Sequence, residues 1–193
     1  LVIIPTILLY AIQRRPSPSK WSLRNTLATV GLSRSNLKNG LLLAIVLGFG
    51  FGALQLLFSD TRHEIWNQIS SGKILFAFPL AFVFMLITAG FTEEFFFRGF
   101  LQTRIVRATN SRLFGVAAAS IMFGLYHLPY AYLNPNWPSH GDLTAAISMV
   151  LSEAVLMGII LGVLFEKTNN NLMACVLMHS LFNALPSVAM LKM

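Results

Sequence analysis

Residues 74–101 read ILFAFPLAFVFMLITAGFTEEFFFRGFL. Apart from three ionisable side chains the run is apolar, and it is longer than the about 20 residues that a helix needs to cross a bilayer core. Those three side chains are Glu93, Glu94 and Arg98, in Glu93-Glu94-Phe95-Phe96-Phe97-Arg98. Charged groups at that depth are expensive, and such residues mark functional sites by default. A helix that only had to face lipid would have no use for them.

The rest of the chain has the same character. Of its 193 residues 55% are hydrophobic and only 11% charged, against roughly a quarter in a soluble domain. Mean hydropathy is +0.68. Six apolar stretches stand out as candidate spans: 1–13, 37–58, 74–101, 113–131, 143–165 and 172–191. Strand-like alternation and internal repeats are not evident. The expected fold is all-α, a polytopic transmembrane helix bundle with about six spans. Residues 1–70 would hold N-terminal membrane helices and a basic loop, and residues 71–193 a core, in one membrane domain overall. The first residue is Leu inside an apolar run, which reads as a fragment with upstream helices missing. Leu1–Ile12 is not a good signal peptide, because Arg14 and Arg15 follow it rather than precede it.

The net charge of +7 does not point to nucleic acid in such a chain. Residues 14–38 hold Arg14, Arg15, Lys20, Arg24, Arg34 and Lys38 with no acid, and Arg104, Arg107 and Arg112 follow the third span. The alternate segments differ: 59–73 mixes Asp60, Arg62, Glu64 and Lys73, and 132–142 has Asp142 but neither Lys nor Arg. By the positive-inside rule the basic segments are cytoplasmic. Trp21, Trp66, Tyr130, Tyr132 and Trp137 fall near predicted boundaries, as interfacial aromatics do. Gly48-x-x-x-Gly52 and Gly158-x-x-x-Gly162 let helices approach closely, which reads as internal packing. The single Cys175 excludes an internal disulfide and reads as a small buried hydrophobe.

The polar groups within the spans are few: Glu93, Glu94, Arg98, His127, Glu153, His179 and Asn183. Glu94 and Arg98 are four apart, so they share a face and can pair. Glu93 points about 100° away from Glu94 and stays free of that pair. His179 and Asn183 repeat the spacing, as do Phe123 and His127, where an apolar ring one turn away can hold the imidazole and keep its pocket dry. A carboxylate with an imidazole is the minimum for activating water. The second histidine and the amide supply donors for an oxyanion. The same groups, Glu93, His127 and His179 foremost, could instead bind a divalent metal such as zinc. A metal-free mechanism is equally open. His63-Glu64-Ile65-Trp66-Asn67 is not a zinc-protease helix because its fifth residue is Asn. The two aspartates lie at predicted boundaries, and no G-x-S-x-G elbow is present.

Taken together, Glu93-Glu94-x-x-x-Arg98, Phe123-x-x-x-His127 and His179-x-x-x-Asn183 resemble the three motifs of the CPBP family of intramembrane proteases. That family includes the type II CAAX prenyl endopeptidases and bacteriocin-processing or self-immunity proteins. The resemblance covers roughly residues 75–190. It implies eight helices in full-length members, a site opening toward the cytoplasm, and a peptide or lipidated protein as substrate. It further implies that Glu93 and His127 activate water, that His179 and Asn183 stabilise the oxyanion, and that Glu94 and Arg98 shape the site. Glu153 lies outside the motifs. The expectation for it is a supporting role, pairing with Arg98 or a histidine or lining a water-filled path.

Two alternatives are a proton-coupled transporter relaying protons through Glu93, a histidine and Glu153, and a self-immunity scaffold without proteolysis. One piece of arithmetic resists every reading. If the third span ends near 101, Glu93 and His179 lie about 10 Å below the cytoplasmic face and His127 about 20 Å, at 1.5 Å per residue. For them to meet, the boundary near 104–112 must be misplaced or the fourth span tilted.

Overall fold

The computed structural model describes residues 1–14, 22–33, 37–59 and 62–189. Arg15, Lys20, Trp21, Arg34 and Asp60 lie outside the described residues. Every regular element among those described is helical: α1 (Ile3–Arg14), α2 (Leu23–Ala28), α3 (Leu41–Leu57), α4 (Arg62–Ser70), α5 (Ile74–Thr109), α6 (Arg112–Leu133), α7 (Leu143–Lys167) and α8 (Leu172–Val188). The expected helical membrane bundle is therefore what forms. Among the described residues, fewer helices are long enough for a full span than there are apolar stretches. Three helices, α5, α6 and α7, are long and apolar enough to cross a bilayer, and a fourth span results if α3 and α4 form one broken crossing. α1 has only 12 residues. α4 also replaces the loop expected over 59–73.

α8 explains why 17 residues suffice at the centre of the bundle. Leu172, Ala174, Cys175, Val176, Met178, His179 and Ser180 are all buried, so the helix is wrapped by protein rather than lipid. Asn171 fixes its start: the Oδ1 accepts from the Met173 N–H at 3.0 Å, and the Nδ2 donates to the carbonyls of Leu37 and Asn39 at 3.1 and 2.6 Å. Cys175 is buried, with its sulfur 3.4 Å from the Leu161 carbonyl.

α3 lies along α8 through the small stripe Ala44, Gly48 and Gly52. A Cβ at Gly48 would sit 2.8 Å from the Leu181 Cβ and 2.9 Å from the Met178 carbonyl oxygen, whereas one at Gly50 would meet nothing within 4 Å. The two positions therefore predict opposite signs. Gly50→Ala gains up to about 1 kcal/mol from helix propensity. Gly48→Ala loses roughly 1–3 kcal/mol through overpacking against backbone. Unfolding of the purified protein in mixed micelles measures both.

α5 is a 36-residue helix, about 54 Å long at 1.5 Å per residue, so it outreaches the roughly 30 Å hydrocarbon core. Its first half exposes Leu75, Phe76, Leu80, Val83, Phe84 and Ile87, a lipid-facing surface. Two wide π segments, Leu86–Gly90 and Phe95–Gln102, flank the turn Phe91–Glu94 that carries both carboxylates. Such widenings are common at functional sites. Here they have a geometric consequence. In an α-helix a four-residue step overshoots a full turn by about 40°, so Glu94, Arg98 and Gln102 would spiral off one face. The wider turns correct in the opposite sense and keep the three side chains near one line, from which Arg98 and Gln102 reach α7 and Glu94 reaches His179 of α8.

That correction meets a matching pattern on α7. The Arg98 Nη2 donates to the Gly158 carbonyl at 3.0 Å and the Gln102 Nε2 to the Gly162 carbonyl at 3.2 Å. The absence of a Cβ at these two glycines also lets α7 approach Ser120 and Val116 of α6. Gly-x-x-x-Gly thus serves internal packing, as its sequence suggested. The chain turns from α5 into α6 at Asn110, whose φ of 52° is the left-handed cap. The Ser111 Oγ then accepts from the Phe114 N–H at 3.2 Å.

Candidate active site

Three helices, α5, α6 and α8, contribute side chains to one cluster, and α7 adds the Gly158 carbonyl. The extended end of α5 resolves the depth arithmetic. Glu93 lies sixteen residues before Thr109 and His127 fifteen after Arg112, so each is about 23 Å from the α5–α6 turn. α8 begins lower. Leu172 sits beside Gly99, and seven residues further along, running antiparallel to α5, His179 reaches the level of Glu93. The misplaced boundary near 104–112 was the error, and no tilt is required.

The cluster has a dry inner part. Glu94 is 0% exposed and Arg98 1%. The Arg98 Nη1 donates to the Glu94 Oε1 at 3.0 Å, as the four-residue spacing predicts. The same oxygen lies 2.7 Å from the His179 Nδ1. Because that oxygen already accepts from a guanidinium, Glu94 is the carboxylate and the His179 Nδ1 is the donor. Removing the Glu94 charge would strand the Arg98 guanidinium in a low dielectric.

Its outer part is wetter. The side chains of Glu93 and His127 are 12% and 24% exposed. The His127 Nδ1 lies 2.8 Å from the Phe123 carbonyl oxygen, which has no proton to give, so Nδ1 carries the hydrogen and Nε2 presents a lone pair. That Nε2 is 3.7 Å from the Glu93 Oε2, and the His179 Nε2 is 4.0 Å from the same oxygen. The Glu93 Oε2 is buried and has no hydrogen-bond partner among the described residues. Three polar atoms therefore converge on one point without bonding one another.

Phe123 forms the floor. Its ring centroid is 4.5 Å from the Arg98 Cζ, 4.5 Å from the His127 ring and 5.9 Å from the His179 ring. The contact with Arg98 is a cation–π pair in a desolvated setting. Asn183, one turn beyond His179, has a half-buried side chain that makes no hydrogen bond to the described residues, so its amide donors stay available.

The structure does not bring Glu153 to the cluster. It is exposed, on the π segment Val150–Val155 of α7. Arg98 is occupied by Glu94 and the Gly158 carbonyl, and His179 by Glu94. Of the roles expected for it, pairing with Arg98 or a histidine does not occur among the described residues. Conversely, Gln102 was overlooked. It is 0% exposed and bonds the Glu166 Oε1 at 3.0 Å as well as Gly162. Its signal was its place four residues beyond Arg98 on the same face. Tyr126 packs edge-on to His127, with centroids 5.2 Å apart, and also contacts Phe97. Nothing in its spacing singled it out from other aromatics.

The donor types at the centre suit zinc, in a spacing wider than the ideal tetrahedral one. Two ligands held tetrahedrally at 2.0–2.1 Å lie about 3.4 Å apart, and the pairs here are 3.7 and 4.0 Å apart. Among the described residues no three His, Cys, Asp or Glu side chains are grouped to hold a metal ion.

A family model described as type II CAAX prenyl endopeptidase Rce1-like matches residues 75–185, more than half of the chain and inclusive of every motif residue. The chain belongs to this Rce1-like family of CPBP intramembrane proteases. No curated protein and no solved structure matches it. Membership of the Rce1-like family, with its apolar helices, makes the chain an integral membrane protein of a peptidase family.

Proposed function

We propose that the chain is an intramembrane endopeptidase that hydrolyses a peptide bond near the cytoplasmic membrane face, using water activated by Glu93 and His127. The observation that carries this reading is the convergence of the Glu93 Oε2 with the Nε2 atoms of His127 and His179, at 3.7 and 4.0 Å. A water about 2.8 Å from both Glu93 and His127 donates one hydrogen to each. Its lone pairs are then left to attack the scissile carbonyl carbon. Glu93 takes the proton as the C–O bond forms. It returns that proton to the amide nitrogen as the C–N bond breaks. The oxyanion is met by the Asn183 amide and by the His179 Nε2. The latter must carry a proton to donate, so His179 acts as an imidazolium held by Glu94 at its other nitrogen. These steps need no metal ion.

The cytoplasmic orientation rests on Arg104, Arg107 and Arg112, which gather at the end of α5 and the start of α6. The substrate class, a peptide or a prenylated protein tail, rests on the family. The transporter alternative loses its third relay member, since Glu153 stands apart from the cluster. The test is incubation of the purified full chain in micelles with a prenylated tail peptide, with product masses recorded with and without chelator. One internal cleavage that resists chelation is expected, and His127→Ala should slow it roughly 100-fold or more. Cleavage by His127→Ala at the unaltered rate would overturn the assignment.

A further inference from the structure

A second polar feature takes no part in the hydrolysis. Where α5 leaves the hydrocarbon, a cavity of about 210 Å³ opens between Thr29, Thr103, Arg107, Arg112, Glu166 and Asn170. Behind the wall, Arg104 holds Thr29 in place: its Nη1 donates to the Thr29 carbonyl at 3.2 Å and its Nη2 to the Thr29 Oγ1 at 3.1 Å. The cavity's one acid is already engaged. The Glu166 Oε1 accepts from Gln102 at 3.0 Å, and its Oε2 lies 3.6 Å from the Arg112 Nε. Neither Arg104 nor Arg107 has a carboxylate partner among the described residues, and the two are close enough to repel one another. Of the charged residues that line the cavity, Arg107 and Arg112 outnumber Glu166, so it carries a positive charge in excess.

What adjoins it decides the kind of anion. Leu113 and Phe114 follow Arg112 directly in α6 and are 82% and 55% exposed, so exposed apolar surface begins on the same turn of the helix. A free anion would use the guanidinium groups and leave that surface idle. A ligand with a phosphate and acyl chains satisfies both at once. We propose that this cavity binds the phosphate headgroup of an anionic phospholipid, with Arg107 and Arg112 on the phosphate and the chains lying over Leu113 and Phe114. Basic pockets between membrane helices at the cytoplasmic side bind such headgroups.

The test is displacement of a fluorescent phosphatidylglycerol from the purified full chain in uncharged micelles. Unlabelled phosphatidylglycerol should displace it, and phosphatidylcholine should not. Arg107→Gln with Arg112→Gln should weaken binding roughly thirty-fold, at about a fivefold factor per cation near the surface. Leu113→Gln with Phe114→Gln should weaken it as well, whereas Arg24→Gln, exposed on α2 and outside the cavity, should not. Helicity and unfolding midpoint establish that each variant is folded. Equal displacement by phosphatidylcholine, an unchanged arginine variant, or an equal loss in Arg24→Gln would overturn the proposal. Displacement by inorganic phosphate at the same concentration would also overturn it, by showing a small-anion site.

Discussion

Glu93→Gln is expected to lower kcat/KM on a cleaved peptide by roughly 100- to 10,000-fold, the range spanned by loss of a general base, while leaving the protein at least as stable as before. Both halves come from the same atom. The Glu93 Oε2 is buried and without a hydrogen-bond partner, 3.7 and 4.0 Å from two imidazole nitrogens. A carboxylate so placed can take a proton from water, and an amide of the same shape cannot. A desolvated charge lacking a close partner is also a cost to the fold, and the neutral amide removes it. Steady-state cleavage and thermal unfolding of the two proteins measure the pair of effects. A stable Gln variant that retains full activity would remove the base from the mechanism, and a Gln variant that fails to fold would show Glu93 to be structural instead.

The buried pair behaves in the opposite way. Arg98→Met should destabilise the protein by about 3 kcal/mol, because Glu94 loses its guanidinium and keeps only the His179 N–H as a partner in the interior. Adding Glu94→Gln should recover most of that loss, since an ion pair replaced on both sides is often neutral. Activity should not return with it. In the double variant the His179 Nδ1 faces an amide instead of the carboxylate now 2.7 Å away, and the imidazolium that donates to the oxyanion loses its counter-ion. Denaturant unfolding in mixed micelles, alongside cleavage assays, separates the two. A double variant that regains both stability and rate would show the pair to be scaffolding without a part in catalysis.

The helical architecture was legible because the apolar stretches are long and hydropathy does not depend on direction around the helix. The cluster was legible where residues four apart imposed a shared face: Glu94 with Arg98, Phe123 with His127. Direction was lost where that constraint was missing. Glu153 is isolated in its span, so depth suggested an inward role, and the structure turns it outward. Gln102 carries the same constraint but lies one residue beyond the predicted end of the third span, where the apolar run gives no reason to expect an inward face. That end was misplaced because the chain stays helical through Thr103–Thr109 after its apolar character fades. The π segments of α5 leave no composition signal, and they are what aligns Glu94, Arg98 and Gln102 on one side.

The central claim is that Glu93 and His127 act on the same water. A double-mutant cycle on kcat/KM, with Glu93→Gln, His127→Ala and both together, measures this directly. Two groups serving one water are lost as a unit, so the double variant should be about as slow as the slower single variant. If the two losses instead multiply, the residues act independently, and the shared nucleophile between these side chains is contradicted.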